Sequence, residues 1–157
     1  MTDIDTASAP RVPVPGGLAS VQLPGFDRTL EFEHGARAVA LRNIPGTLPF
    51  FATHFPRLPI LPGVVLLESM AALAGATAGV PYATLRAVRG ARFRRFILPG
   101  DQVAIMVELT EGTADSGDWR AEARVDGRLV ATVRALTLAY RAYDDTAHDG
   151  DAHGDAL

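Results

Sequence analysis

A chain of 157 residues, 48% hydrophobic and 21% charged, has the length of one domain and the composition of a globular protein. It has no cysteine, which rules out disulfides and thiolate chemistry and fits a cytoplasmic setting. The net charge of −3 argues against nucleic acid as a partner, although all fifteen basic side chains are arginines and Arg86, Arg89, Arg92, Arg94 and Arg95 lie close together.

Residues 1–17 are polar and proline-rich with no apolar stretch, so a flexible segment without a secretory signal is expected there. The folded domain is expected over residues 18–143. It opens with two short apolar segments, Thr29–Phe32 and Arg37–Arg42, separated by Glu33, His34 and Gly35. They read as a hairpin.

Residues 44–63 follow, with Pro45, Pro49, Pro56, Pro59 and Pro62. Proline fixes its own φ and has no N–H to donate, so this connection is shaped and rigid. It places His54 among Phe50, Phe51 and Phe55, and connections of this length inside a compact domain are usually functional.

Val64–Gly79 has the strongest helical character in the chain, starting after Pro62-Gly63 and ending before Pro81. The apolar run around it carries Glu68 and is interrupted by proline and glycine, so it is a core helix and no membrane span. Being apolar nearly all round, it is expected to be buried on most sides. Its second half is small (Ala71, Ala72, Ala74, Gly75, Ala76, Ala78), which permits close approach by a curved sheet.

Strands are predicted for the remainder. Leu85–Ile97 leads to a turn at Pro99-Gly100-Asp101, and Gln102–Glu111 follows. Asp118–Val125 and Arg128–Tyr140 flank Asp126-Gly127, a dipeptide favoured in two-residue hairpin turns. Strict alternation along the last strand puts Val130, Thr132, Arg134, Leu136, Leu138 and Tyr140 on one face. Leu129, Ala131, Val133, Ala135, Thr137 and Ala139 then occupy the other. Both faces are largely apolar, as in a central strand. Residues 144–157 hold five aspartates and no basic residue, the composition of a disordered acidic tail. The element order predicts an α+β domain with one helix laid on an antiparallel sheet.

Three features suggest chemistry. Glu68 is the one ionisable group in the helix, and Val64, Val65, Ala71 and Ala72 one turn away cannot pair with it. Such a carboxylate is buried and paired from elsewhere, faces a cavity, or lies on an exposed stripe. His54 is the one histidine set among apolar residues, and an imidazole with a desolvated carboxylate forms an acid–base pair. Gly63 and Val64 open the helix, where free N–H groups and the positive end of the helix dipole suit a thioester carbonyl gaining charge.

The combination Phe50-Phe51-Ala52-Thr53-His54-Phe55-Pro56, then Pro59, Pro62-Gly63-Val64 and Glu68, resembles the signature of FabZ-type 3-hydroxyacyl-[acyl-carrier-protein] dehydratases. In that family a His-Phe-Pro histidine precedes the helix glutamate by fourteen positions, as His54 precedes Glu68. Ala91-Arg92-Phe93-Arg94-Arg95 and Pro99-Gly100-Asp101 look like its second signature, and Val125-Asp126-Gly127 like its last hairpin.

The resemblance implies a hotdog fold, a sheet wrapped around one central helix. It also implies a homodimer with shared active sites, a trimer of dimers, or a heterodimer with a related hotdog subunit. His54 would take the C2 proton, and Glu68 of the partner subunit would protonate the departing C3 hydroxyl. Gly63 and Val64 would bind the thioester oxygen, and Phe51, Phe55 and Phe93 would line the acyl tunnel. Arg92, Arg94 and Arg95 would meet an acidic acyl carrier protein. The family works without metal or redox cofactor. Thr53, Arg57 and Ala72 replace the family's Gly, Gly and Gln. A hotdog thioesterase and a non-catalytic subunit completing another dehydratase are the alternative readings.

Overall fold

The computed structural model describes residues 22–53 and 57–141. The expected flexible ends lie outside the described residues, as do His54 and Phe55.

The predicted hairpin forms from β1 (Arg28–Glu33) and β2 (Arg37–Asn43), paired antiparallel. Its turn reaches the far end of the main helix, because the Gly35 N–H donates to the Thr77 carbonyl at 2.7 Å. The proline-rich connection, expected as a shaped and rigid loop, contains a short helix, α1 (Phe50–Thr53). Carbonyls of Leu48 and Pro49 accept from the N–H groups of Phe51 and Ala52 and close this turn.

The main helix α2 spans Gly63–Ala78 and stops at Gly79, whose left-handed φ of 69° ends it as expected. The ring of His34 lies where a side chain at Gly79 would project, so hairpin and helix end pack without space between them.

Five strands follow: β3 (Tyr82–Arg89), β4 (Arg92–Phe93), β5 (Gln102–Gly112), β6 (Ser116–Val125) and β7 (Arg128–Arg141). The sheet order is β1-β2-β5-β6-β7-β3, with β4 also on β7, and every pairing is antiparallel. The single strand predicted over Leu85–Ile97 is therefore two. Gly90 breaks it at φ 64°, and a Cβ there would stand 2.9 Å from the Cβ of Arg134 on the neighbouring strand. The last hairpin turns at Asp126 and Gly127 with φ of 51° and 74°, both positive as the two-residue turn requires.

Strict alternation on β7 fails. Trp119 pairs with Leu136 but Ala121 pairs with Val133, so β7 carries an extra residue there. The bulge resets the phase, and Ala131 and Val133 share the buried side with Leu136 and Leu138. The central position expected for this strand holds, between β6 and the β3–β4 pair.

The sheet's inner side packs on α2 through Ala38, Ala40, Ile105, Val107, Val133 and Leu138, all nearly or fully buried. A Cβ on Gly75 would approach that of Ala83 to 2.9 Å, which is why the second half of α2 must be small. On the outer side Asp118 accepts from the Thr137 hydroxyl at 2.6 Å and from Arg89 at 2.8 Å, tying β6, β7 and β3 together. The outer edge of β3 carries no further strand among the described residues, and Tyr82 and Val88 are exposed along it.

Candidate active site

Helix α2 is buried or half-buried on most sides, as expected, and open along one stripe. Leu66, Ser69, Met70, Leu73, Ala74 and Thr77 face the sheet, while Val64, Glu68 and Ala72 are exposed. The exposed residues recur every four positions and so form one stripe along the helix. Glu68 is therefore solvent-accessible in the single chain, which corrects the burial that its apolar sequence neighbours suggested. Among the described residues it has no ion-pair partner. Val64, one turn nearer the helix start, is 61% exposed, so an apolar strip leads from the helix tip to the carboxylate.

The helix tip is held in position from two sides. Leu61 donates its N–H to the Ile97 carbonyl at 2.8 Å, pinning the entry to α2 against the segment after β4. Pro62 takes the N-cap position, and its carbonyl accepts from Val65 at 3.0 Å and Leu66 at 3.3 Å. Gly63 and Val64 precede the first residues that can find an acceptor inside the helix, so their N–H groups remain available to a ligand.

Phe93 closes over this tip. A Cβ on Gly63 would lie 2.8 Å from Phe93 Cζ, so only glycine leaves the ring where it is. The obstacle is the far end of a half-exposed side chain, and the ring can swing away at small cost in stability. Gly63→Ala is accordingly expected to fold with a thermal midpoint near wild type. Its kcat/KM for an acyl thioester should fall on the order of ten-fold or more, through a displaced Phe93 and an encroached carbonyl site. A wild-type value of kcat/KM in the folded variant would contradict this role for the tip.

Of the aromatic residues expected to line the acyl tunnel, Phe51 and Phe93 lie among the described residues. Phe51 is 7% exposed and packs edge-on to Phe50 with ring centroids 4.7 Å apart. It borders a cleft of about 460 Å³ with Leu48, Pro49, Pro59 and Pro99, and Phe93 is not among the residues that line it. Phe55 and His54 lie outside the described residues.

Arg92, Arg94 and Arg95 are exposed and have no carboxylate partner among the described residues. The Val130 carbonyl accepts from the N–H groups of Arg94 and Arg95, which fixes their backbone against β7. One functional-looking contact escaped the sequence reading: Arg42 reaches across to the hydroxyl of Ser69 on α2. Its sequence signal is the alternation Ala38, Ala40, Arg42, which puts a cation in a row that otherwise faces the helix.

A family model described as ApeI-like, ApeI dehydratase, matches residues 31–133. The 3-hydroxyacyl-[acyl-carrier-protein] dehydratase FabZ of Proteus mirabilis is 39% identical over 123 residues, covering 73% of this chain and 82% of the relative. The chain belongs to the FabZ-type dehydratase family. The FabZ of Syntrophotalea carbinolica is also similar to this dehydratase, 41% identical over 114 residues, covering 67% of the chain and 76% of that protein.

A solved structure titled "The Dehydratase Heterocomplex ApeI:P from Xenorhabdus doucetiae" superposes with TM-score 0.60 at 18% identity. It covers 73% of this chain and 96% of that one. The expected hotdog fold is thereby shown for the dehydratase. No helix among its described residues is long and apolar enough to cross a membrane.

Proposed function

We propose that this dehydratase converts 3-hydroxyacyl thioesters held on acyl carrier protein into trans-2-enoyl thioesters and water, in fatty-acid or polyketide assembly in the cytoplasm. The observation that carries the reading is the stripe on α2. It aligns the free N–H groups at Gly63 and Val64 with the Glu68 carboxylate, roughly 7–8 Å further along the axis at 1.5 Å per residue. That span matches a thioester carbonyl at the tip and a 3-hydroxyl at the carboxylate.

In the proposed step His54 removes a proton from C2, and the electron pair moves toward the thioester. Charge collects on the carbonyl oxygen, opposite the two N–H groups and the positive end of the helix dipole. The C3–O bond breaks as Glu68 supplies a proton, and water leaves. The proton on His54 then returns through solvent to Glu68, and no electrons are gained or lost overall.

Dimerisation completes the reading. A second subunit laid over the stripe would take the Glu68 carboxylate out of bulk water and close the site around the substrate. The open edge of β3, with exposed Tyr82, Val88, Phe93 and Phe96 nearby, supports such a seam with an identical or related hotdog subunit. Across that seam Glu68 would act on substrate activated by the partner's histidine. Arg92, Arg94 and Arg95 would meet the acidic carrier protein beside the entrance.

The test is an assay of the purified protein with 3-hydroxyacyl-carrier-protein substrates of graded chain length, following formation of the enoyl thioester. Turnover without thiol release is expected. Release of free thiol without enoyl product would point to a thioesterase. Inactivity of the chain alone, relieved by a related subunit, would make it one half of a heteromer.

A further inference from the structure

We propose that Arg42 is a positioning residue of this dehydratase: acting through Ser69, it holds the first two turns of α2 at a set distance from the strand that leads into the His54 segment. The inference rests on the role proposed above for Glu68 and for the helix tip.

Arg42 continues the row of Ala38 and Ala40, both 0% exposed, on the side of β2 that faces α2. The rows beside it are apolar, with Val103 directly opposite in register and Ile105 and Val107 beyond. Its guanidinium donates to the Ser69 hydroxyl, and no carboxylate pairs with it among the described residues. A cation held beside an apolar layer by a neutral hydroxyl adds little net stability, and an apolar side chain would suit the row better. Its effect is geometric.

The contact passes along a line of bonds to the helix tip. Ser69, 5% exposed, donates in turn to the Val65 carbonyl at 2.9 Å, and Val65 donates to the Pro62 carbonyl at 3.0 Å. Ser69 adjoins Glu68, and Val65 adjoins Val64, so the line borders both parts of the proposed site. The other end is anchored. Asn43, next to Arg42, donates its N–H to Asp27 at 2.6 Å, and its side-chain oxygen accepts from Gln102 at 2.9 Å. The N–H of Ile44 reaches the Asp101 carbonyl at 2.9 Å. Arg42 therefore projects from a firmly held strand end, twelve residues before His54.

The experiment compares Arg42→Met, Ser69→Ala, the double variant and Arg42→Lys in steady-state dehydration, with folding checked by circular dichroism. Each single change is expected to lower kcat on the order of ten- to a hundred-fold. KM should stay within about two-fold, because substrate contacts are untouched. The double variant should be no slower than the slower single one, since the two residues form one link. Arg42→Lys should recover part of the loss.

Wild-type kcat in both folded single variants, or losses that multiply in the double, would overturn the proposal. A wild-type protein with no dehydration would instead defeat the functional reading. The link is then judged by amide hydrogen exchange over residues 65–70. Faster exchange in Arg42→Met and Ser69→Ala supports it, and unchanged exchange overturns it.

Discussion

Glu68→Gln will slow dehydration by about 10²–10⁴-fold, the range that a positioned general acid contributes. The amide keeps the size and hydrogen-bonding capacity of the carboxyl but has no acidic proton to give the departing hydroxyl. In the isolated subunit the same change will alter unfolding free energy by no more than about 0.5 kcal/mol, as for other exposed positions. Glu68 lies on the open stripe of α2 without an ion-pair partner among the described residues, so the single chain has little to lose. The measurement pairs single-turnover enoyl formation with urea unfolding of the same preparation. His54→Asn should behave alike in the assay by removing the proposed base. A folded Glu68→Gln protein retaining wild-type turnover would remove this carboxylate from the reaction.

Trp119→Ala should be damaging for a different reason, costing about 3–5 kcal/mol of folding stability as large aromatic truncations in cores do. Trp119 is 0% exposed in the centre of the sheet, and its Nε1–H donates to the Tyr140 hydroxyl at 2.8 Å. Truncation opens a cavity between β6 and β7 and also strips that hydroxyl of its donor. Burial pushes the Tyr140 phenol above its ordinary value of 10.0, with Asp118 adding to the effect against the Trp119 hydrogen bond. The phenol thus stays protonated across the neutral range and accepts the indole N–H through its oxygen. Gly117 allows this contact, because a side chain there would collide with the Tyr140 hydroxyl. Denaturant unfolding decides the matter, and a loss below about 1 kcal/mol would show that the site collapses to fill the gap. Trp119→Phe should fall between wild type and Trp119→Ala, keeping part of the ring volume but not the donor.

The two substitutions separate what a residue does for the fold from what it does for the reaction. One is expected to leave the protein standing and inactive. The other removes activity only by removing the folded state, at a cost of roughly a fifth or more of a domain's usual 5–15 kcal/mol.

Much of the fold was legible because its signals are local. The helix over Val64–Gly79 announces itself through formers and a glycine stop, and it appears as Gly63–Ala78. Asp126-Gly127 specifies a turn through the positive φ both residues adopt. The hairpin of β1 and β2 follows from two apolar runs and a Gly35 turn at φ 73°. Errors arose where distant chain segments intervene. The bulge on β7 opposite Arg120 depends on how β6 lies against it, and no residue type in Arg134 or Ala135 foretells it. Gly90 divided a strand that looked continuous because the chain must pass close to Arg134.

By itself the sequence determined the order of the main elements, the turn chemistry and the fourteen-residue interval from His54 to Glu68 that marks the family. Only tertiary structure decided which side of α2 meets the sheet, and with it that Glu68 stands open while Ser69 beside it is buried. The physical reason is that a helix apolar nearly all round has no preferred face of its own. Its orientation is chosen by where small residues such as Gly75 admit a strand and where Arg42 finds an acceptor. Placing Phe93 over Gly63 is likewise a contact between segments thirty residues apart, invisible to any local pattern.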